Sequence, residues 1–422
     1  MEIENDYKKL ESKVWILLPG LEKALRLILA VAISAYVRPH VMIWLLLVDV
    51  PSSGKTDLVR LIRNSEITYY LDTLTPNAFI SGERVTKSNK VFDLLPELNN
   101  KCFIVKDWTS IFSMDEKATK KILGDLVNIY DGEFTKFSSA RGKISSASYF
   151  SHLGCITPAT LNKHTQYLNM IGARFLFYKL PEVSKENEEL NQKRIFAGEN
   201  RGDIEKTVQE LVNSFLQELL IKEWNVKLLS DDVEKFLKVG SNLISHCRGI
   251  VLLQANTFKN ESGEEIKYYD VIDSQIEKQW RALHQLKALS ECLAFVVGKD
   301  EVGIDELEII KEIVLASMPA DRSQALRIIQ EHNGTITAKE LSDDSERSNK
   351  TARRLLEELT SLKVVEKIKG SGQIAADYQI VDEFRDFLCL STTDFLSTYS
   401  RRTETPQDTL AEKTNEEYEE NK

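Results

Sequence analysis

The chain has 422 residues, 42% of them hydrophobic and 28% charged, with a formal net charge of −10. This is the composition of a globular protein long enough for two or three domains, and it excludes a low-complexity chain. It also excludes a protein coated in positive charge, so any contact with nucleic acid must come from local loops and helices. Five cysteines (Cys102, Cys155, Cys247, Cys292, Cys389) are scattered singly with no CxxC pair. They form neither a zinc motif nor a disulfide framework, and a reducing cytoplasm is the expected location.

The opening MEIENDYKKLESK is charged and acidic and does not read as a secretion signal. Residues 1–20 are expected to form a helical extension. Residues 24–48 are strongly apolar, but Arg26, Arg38, Pro39 and His40 interrupt them, so no clean run of about twenty apolar residues exists. A buried helix over 21–36, a turn at Arg38 and Pro39, and a strand over 41–48 is the reading, and no membrane span is expected. From 21 to 185 strands and helices alternate, which predicts an α/β domain with a mainly parallel sheet. The strands fall at 42–48, 67–71, 101–106, 152–157 and 174–179. The helices fall at 21–36, 55–63, 88–95, 116–130 and 160–170.

From 186 to 318 the apolar residues recur at helical spacing, as in DIEKTVQELVNSFLQELLIKEW and SQIEKQWRALHQLKALSECLAFVV. A helical region is predicted, broken only by the polar stretch 259–270. Residues 320–390 form a separate small unit. One helix ends at Gly334, a second begins at Thr337, and a third leads into a strand, a turn at Gly370, Ser371 and Gly372, and a second strand. Three helices and a hairpin follow the order of a winged helix. Residues 391–422 are polar and acidic and are expected to be a disordered tail.

The stretch LLLVDVPSSGKTDLVRLI, 45–62, places an apolar strand, a loop and a helix in the order a phosphate-binding loop needs. Pro51, Ser52, Ser53, Gly54, Lys55, Thr56 and Asp57 are the candidate nucleotide contacts. Backbone N–H groups of such a loop point at phosphate oxygens, the lysine reaches the β- and γ-phosphates, and the hydroxyl binds Mg²⁺. Asp49 stands where the usual pattern has glycine. Its carboxylate is compatible with phosphate only if it points away, at the strand end. The strand KCFIV ends at Lys106 and Asp107, and Asp107 is a candidate metal-side carboxylate alongside Thr56. Trp108 follows it, where many ATPases place a water-activating glutamate. Asp131, Glu133 and Glu83 are the alternatives for that role, and nothing in the sequence chooses among them.

With the phosphate loop, the Asp107 strand and the ending GCITPATLNKHTQYLNMIGARFLFYKLP, the chain resembles the AAA+ ATPases related to minichromosome maintenance helicases, in the form carried by bacterial mobile elements and phages. The resemblance covers roughly 20–320 and is strengthened by LDTLTPNAFISG, LLPELNNKCFIVKDWTSIF and LVNIYDGEFTKF in the same order. It implies an AAA+ P-loop core, a helical lid and a winged helix, with ATP and Mg²⁺ as cofactors. It gives Lys55, Asp107, Thr157 and Arg174 catalytic roles: Thr157 in CITPAT as the polar sensor, and Arg174 in GARFLFY as an arginine finger reaching a neighbouring subunit's ATP. Arg281 opens a helix that matches the lid helix with a second nucleotide-sensing arginine. Such a finger implies a ring, expected as a hexamer.

The resemblance further implies a hairpin at 132–150 projecting into the ring channel, where Lys136, Arg141 and Lys143 would grip single-stranded or forked DNA. Lys350, Arg353 and Arg354, early on the third helix of the C-terminal unit, suit a duplex groove or backbone. Residues 321–388 hold slightly more acids than bases, so docking within the ring is an equal reading of that helix. About twenty residues precede the core, where these helicases carry a DNA-binding domain, so a loader or initiator protein is a further expected partner. The implied function is an ATP-dependent DNA helicase or translocase in replication of a mobile element. Two rivals remain: a nucleotide-dependent loader or switch that does not unwind, and a DNA-binding regulator with an inactive ATPase core.

Overall fold

The computed structural model describes residues 2–403 apart from 39, 85, 87–89, 165–170, 172, 173, 198, 199, 229, 260–264 and 369–375. Helices α1 (Glu2–Leu17) and α2 (Glu22–Val37) precede the first strand, β1 (Trp44–Val48). Then come α3 (Lys55–Arg60), β2 (Thr68–Leu71), the single turn α4 (Leu94–Glu97), β3 (Cys102–Val105) and the single turn α5 (Thr109–Phe112). Helix α6 (Glu116–Ile129), the hairpin β4 (Glu133–Ser138) and β5 (Gly142–Ala147), strand β6 (Ser151–Ile156), α7 (Pro158–Lys163) and β7 (Phe175–Lys179) complete the α/β layer.

Five strands form one parallel sheet in the order β2-β3-β6-β1-β7. Strands β1, β3 and β6 are buried along their whole length, as befits a parallel sheet covered on both faces. Side chains alternate across it. Leu45, Leu47, Ile104, Leu153 and Leu176 join α2 on one side, and Trp44, Leu46, Phe103, Val105 and Phe175 join α6 on the other.

Helix α2 is apolar on nearly every face and buried from Ala24 to Ala35, which marks a helix enclosed by protein. The charges that interrupt the apolar run 24–48 all find partners. Arg26 pairs with the fully buried Glu306, and Arg38 donates to Glu291 at 2.6 Å and lies over the Trp224 ring. Pro39 lies outside the described residues. Among the described residues no helix is long and apolar enough to cross a membrane.

The helix expected at 88–95 is not formed as such: its described part is only the turn at Leu94–Glu97. The Asp93 carboxylate accepts from Ser81 N and Arg141, which ties this segment to the β4–β5 hairpin. Of the helix expected at 160–170, the described part ends at Lys163 and residues 165–170 lie outside the described set.

After β7 come α8 (Lys185–Phe196), α9 (Arg201–Ile221) and α10 (Asp231–Cys247). An antiparallel hairpin follows, β8 (Ile250–Lys259) with β9 (Glu265–Gln275), and then α11 (Trp280–Val296) and α12 (Ile304–Ala316). The hairpin corrects the expectation of an all-helical stretch over 186–318. IVLLQANTFK contains enough β-branched and aromatic residues to pair, and residues 265–270 of the segment that read as a break belong to β9 itself.

The C-terminal part runs α13 (Ala320–Glu331), β10 (Thr335–Thr337), α14 (Ala338–Asp344), α15 (Asn349–Ser361), β11 (Val365–Ile368), β12 (Asp377–Ile380), α16 (Asp382–Cys389) and α17 (Thr392–Thr403). Its three strands pair antiparallel in the order β10-β12-β11. The turn expected at Gly370 lies outside the described residues. This part shares a core with the helices before it: Arg322 donates to the Cys247 and Gly249 carbonyls at 2.8 and 2.7 Å. The segment expected to be disordered from 391 opens instead with α17, because Phe395 is buried against Phe236 and Phe387. Residues 404–422 lie outside the described set.

Glu306 is the polar knot of this arrangement. It is fully buried, pairs with Arg26 and with Lys299 at 3.1 Å, and accepts from Gly303 N at 2.7 Å. Glu306→Ala strands a buried guanidinium and should lower the unfolding free energy by about 3–5 kcal/mol, read from the urea midpoint at constant m.

Candidate functional site

The carboxyl ends of β1, β3 and β6 meet at one edge of the sheet, where open α/β sheets bind ligands. The loop after β1 turns through Ser52 at φ 65° and Gly54 at φ 89° into α3. Glycine is required at 54, since a Cβ there would also press on Leu21 and Leu18 at 3.2 and 3.4 Å. Lys55 is buried, and its Nζ donates to the Asp49 and Val50 carbonyls at 2.7 and 2.6 Å and to Ser53 Oγ at 3.1 Å. Burial pulls its pKa down, while the charges of Asp49 and Asp107 pull the other way. The Asp49 carboxylate bonds to its own loop, accepting from Val50 N at 2.8 Å, and Asp49 is not among the residues lining the cavity below.

A cavity of about 410 Å³ opens over this loop, inside the range of roughly 300–1,000 Å³ usual for ligand sites. Ser52, Ser53, Gly54, Lys55, Thr56 and Asp57 form its polar half, and Leu17, Leu18, Pro19, Leu21 and Val183 its apolar half. Asn191 of α8 and Arg201 of α9 close it. The loop with its buried lysine and the apolar slot beside it give the cavity one polar and one apolar end. The apolar half comes from the α1–α2 junction and the segment after β7. No local motif announces it, and only the leucines of LLPGL were available as a signal.

Asp107 is exposed at the end of β3, with Oδ1 accepting from Thr109 N at 2.8 Å. Thr157 ends β6 and caps α7: its Oγ1 accepts from Thr160 N at 3.3 Å and lies 2.9 Å from Thr160 Oγ1. Thr109 Oγ1 lies 3.4 Å from the same Thr160 hydroxyl. A short hydroxyl relay thus bridges the ends of β3 and β6, and Thr160 and Thr109 were missed by motif reading because threonines after a strand carry no signature.

Trp108 is not at the surface. Its indole is 1% exposed, and its Nε1 donates to His152 Nε2 at 2.9 Å. Gly154 makes the room, for a Cβ there would come within 2.5 Å of the indole and 2.8 Å of Leu46. The position after Asp107 is therefore a core position.

Arg174 and Arg281 lie elsewhere. Arg174 precedes β7, whose first residue Phe175 pairs with Trp44, the first residue of β1. Lys55 follows the other end of β1, roughly 13 Å away by strand rise. Arg174 and Arg281 both lie over the Tyr130 ring, 5.8 and 5.4 Å from its centroid. Burial lowers the Arg174 pKa and the charge of Arg281 adds to this, while Asp131 and Glu277 oppose it. Burial pushes Arg248, behind them, down to about 10, and it donates to the Phe175 and Ser317 carbonyls at 2.6 and 2.8 Å. Of the expected site residues Pro51, Asp107, Thr157, Arg174 and Arg281 do not line the Lys55 cavity, nor do Asp131, Glu133 and Glu83, and Asp131 belongs to the arginine cluster.

The basic residues of the β4–β5 hairpin divide. Arg141 pairs with Asp93 at 2.9 Å and donates to the Ser81 carbonyl at 2.9 Å, and Lys136 donates to the Ile80 carbonyl at 3.0 Å. Lys143 is exposed. On α15, Ser348 caps the helix by accepting from Thr351 N, Arg353 is exposed and Arg354 pairs with Glu358 at 3.5 Å. Lys350 is exposed on the first turn.

No protein-family model and no curated protein matches the chain.

Two outcomes test the packing behind Asp107. Gly154→Ala should cost about 1–3 kcal/mol in urea unfolding and shift the Trp108 fluorescence, because the indole must move. Burial holds His152 down to about 3, against roughly 6.5 when unfolded, so only the unfolded chain takes up a proton between these values. The stability this confers is complete above about pH 6.5 and is lost as pH falls toward 3. Unfolding free energy measured from pH 7 down to 4 should therefore fall less steeply in His152→Gln than in the wild type.

Proposed function

We propose that the chain is an AAA+ ATPase that binds ATP with Mg²⁺ and acts on DNA as a ring, a helicase or translocase in replication of a mobile element or phage. The observation that carries the reading is the cavity over Ser52–Asp57, with Lys55 buried at its floor and within electrostatic reach of Asp107 across β6. The sheet order supports it, because inserting β6 between β1 and β3 lets Thr157 stand between the lysine and the carboxylate. In this reading Lys55 exchanges its carbonyl partners for the β- and γ-phosphates, and Thr56 and Asp107 hold the metal. The Thr157 and Thr160 hydroxyls orient water or the terminal phosphate.

Arg174 and Arg281 share Tyr130 at the far edge of the sheet, so in this reading both serve the nucleotide of a neighbouring copy. This is the ground for a ring. The order α13, β10, α14, α15, β11, β12 supports a winged helix, with α15 in the place of a recognition helix. Lys143 is the hairpin residue best available to DNA, since Lys136 and Arg141 serve the hairpin's own packing.

A second reading, a nucleotide-dependent switch or loader without unwinding, is favoured by Trp108. A core indole stands where a water-activating glutamate is common, and slow hydrolysis is the consequence.

ATP hydrolysis with and without single-stranded DNA, together with strand displacement from forked DNA, decides between them. DNA-stimulated turnover with strand displacement, both lowered at least about a hundredfold by Lys55→Ala, supports the motor, and turnover without displacement supports the switch. Nucleotide binding without DNA-stimulated turnover supports the switch, and absence of both sinks the nucleotide reading. For the hairpin, Lys143→Ala should flatten the slope of log affinity against log salt for single-stranded DNA by roughly 0.7. Arg141→Ala should instead act on stability, by about 1–3 kcal/mol, because it strands Asp93.

A further inference from the structure

Arg201 is the first residue of α9, and its Nη2 donates to Asp57 Oδ2 at 2.6 Å. Both residues line the Lys55 cavity. Asp57 has a second cation at hand, since Arg60 Nη1 donates to its other oxygen at 3.4 Å. Arg201 can therefore leave without stranding the carboxylate. Its side chain is 55% exposed, so the present ion pair is weak and exchangeable. A guanidinium also carries five N–H donors in a planar fork suited to phosphate, and one carboxylate oxygen takes few of them.

The position of Arg201 along the cavity is informative. A smaller cavity of about 70 Å³ adjoins the first, and Arg201, Leu17 and Asn191 border both. In the nucleotide reading of the site, on which this inference rests, Lys55 marks the β- and γ-phosphates and Thr56 the metal. Asp57 is one step further along α3, and Leu17, which borders both cavities with Arg201, is the apolar wall for the base. Arg201 thus belongs to the nucleoside end.

We infer that Arg201 is a nucleotide-binding residue that leaves Asp57 for the phosphate nearest the ribose, so that ADP and ATP are held alike. Helix α9 runs from this residue into the core through Val208, Val212, Phe215, Leu216 and Leu219. Its first turn is thereby drawn to the nucleotide whichever form is bound.

The test is fluorescence titration of the full chain with N-methylanthraniloyl ADP and with the same derivative of a non-hydrolysable ATP analogue. Arg201→Ala should weaken both by a similar factor, roughly tenfold, while unfolding at the wild-type temperature without nucleotide. Asp57→Asn removes the competing charge at nearly constant shape and should tighten both affinities. Wild-type affinity in Arg201→Ala overturns the inference. A loss confined to the triphosphate overturns it too, for that is the behaviour of a γ-phosphate sensor. An equal loss in Asp57→Asn overturns it as well, since the pair would then be a structural tie only. A wild type that binds neither nucleotide removes the underlying reading itself, which separates that failure from failure of Arg201 alone.

Discussion

The contact between the Trp108 indole and Gly154 is the constraint on which the carboxyl edge of the sheet depends. Strand β6 lies between β1 and β3, and Gly154 pairs with Leu46 on one side and Val105 on the other. With no side chain at that point, the indole can drop into the sheet face and bond to His152, which packs among Trp44, Phe103 and Phe175. Once Trp108 is anchored, the backbone just before it is anchored too. The exposed carboxylate of Asp107 is thereby presented above β6, close enough to Lys55 for the two charges to act on each other. A core interaction thus decides where a surface carboxylate stands.

The same economy governs the helices packed over the sheet. Helix α2 is enclosed by α1, α9 and α11 as well as by the sheet, and the arginines in this apolar stretch are paired with acids on α11 and α12. Such pairs contribute little net stability relative to apolar packing, but breaking one is costly, so they specify which helix lies where. The cavity inherits this order. Its apolar half comes from the α1–α2 junction, its floor from the loop after β1, and its cover from α8 and α9.

Charge is distributed in a way the net value of −10 conceals. Arg174, Arg248 and Arg281 gather at the amino-terminal edge of the sheet around Tyr130, partly offset by Asp131 and Glu277. Burial holds the Glu277 carboxyl above its usual range, and the three arginines pull it back. The cationic cluster thus lies at one edge of the sheet and the Lys55 loop at the other.

The five strands of the α/β layer were legible from apolar runs and spacing, because a strand buried on both faces announces itself as a continuous apolar segment. The loop chemistry of Gly54, Lys55 and Thr56 was legible for the same local reason: the backbone turn and the residues after it are neighbours in the chain. The β8–β9 hairpin and α17 were not legible. Pairing of β8 with β9 depends on residues up to about 25 positions apart, and α17 is held by Phe395 meeting rings from other helices. The resemblance implied a nucleotide role for Arg281 and a DNA role for Arg141. The fold sets Arg281 beside Arg174, away from the Lys55 cavity, gives Arg141 to Asp93, and brings forward Asn191, Arg201 and Thr160, which no motif marks. Local sequence determines where the chain turns and which residue types a turn carries. Which distant side chains share a cavity is decided by the crossing order of the strands and by the packing of the helices around the sheet, and these exist only once the chain is folded.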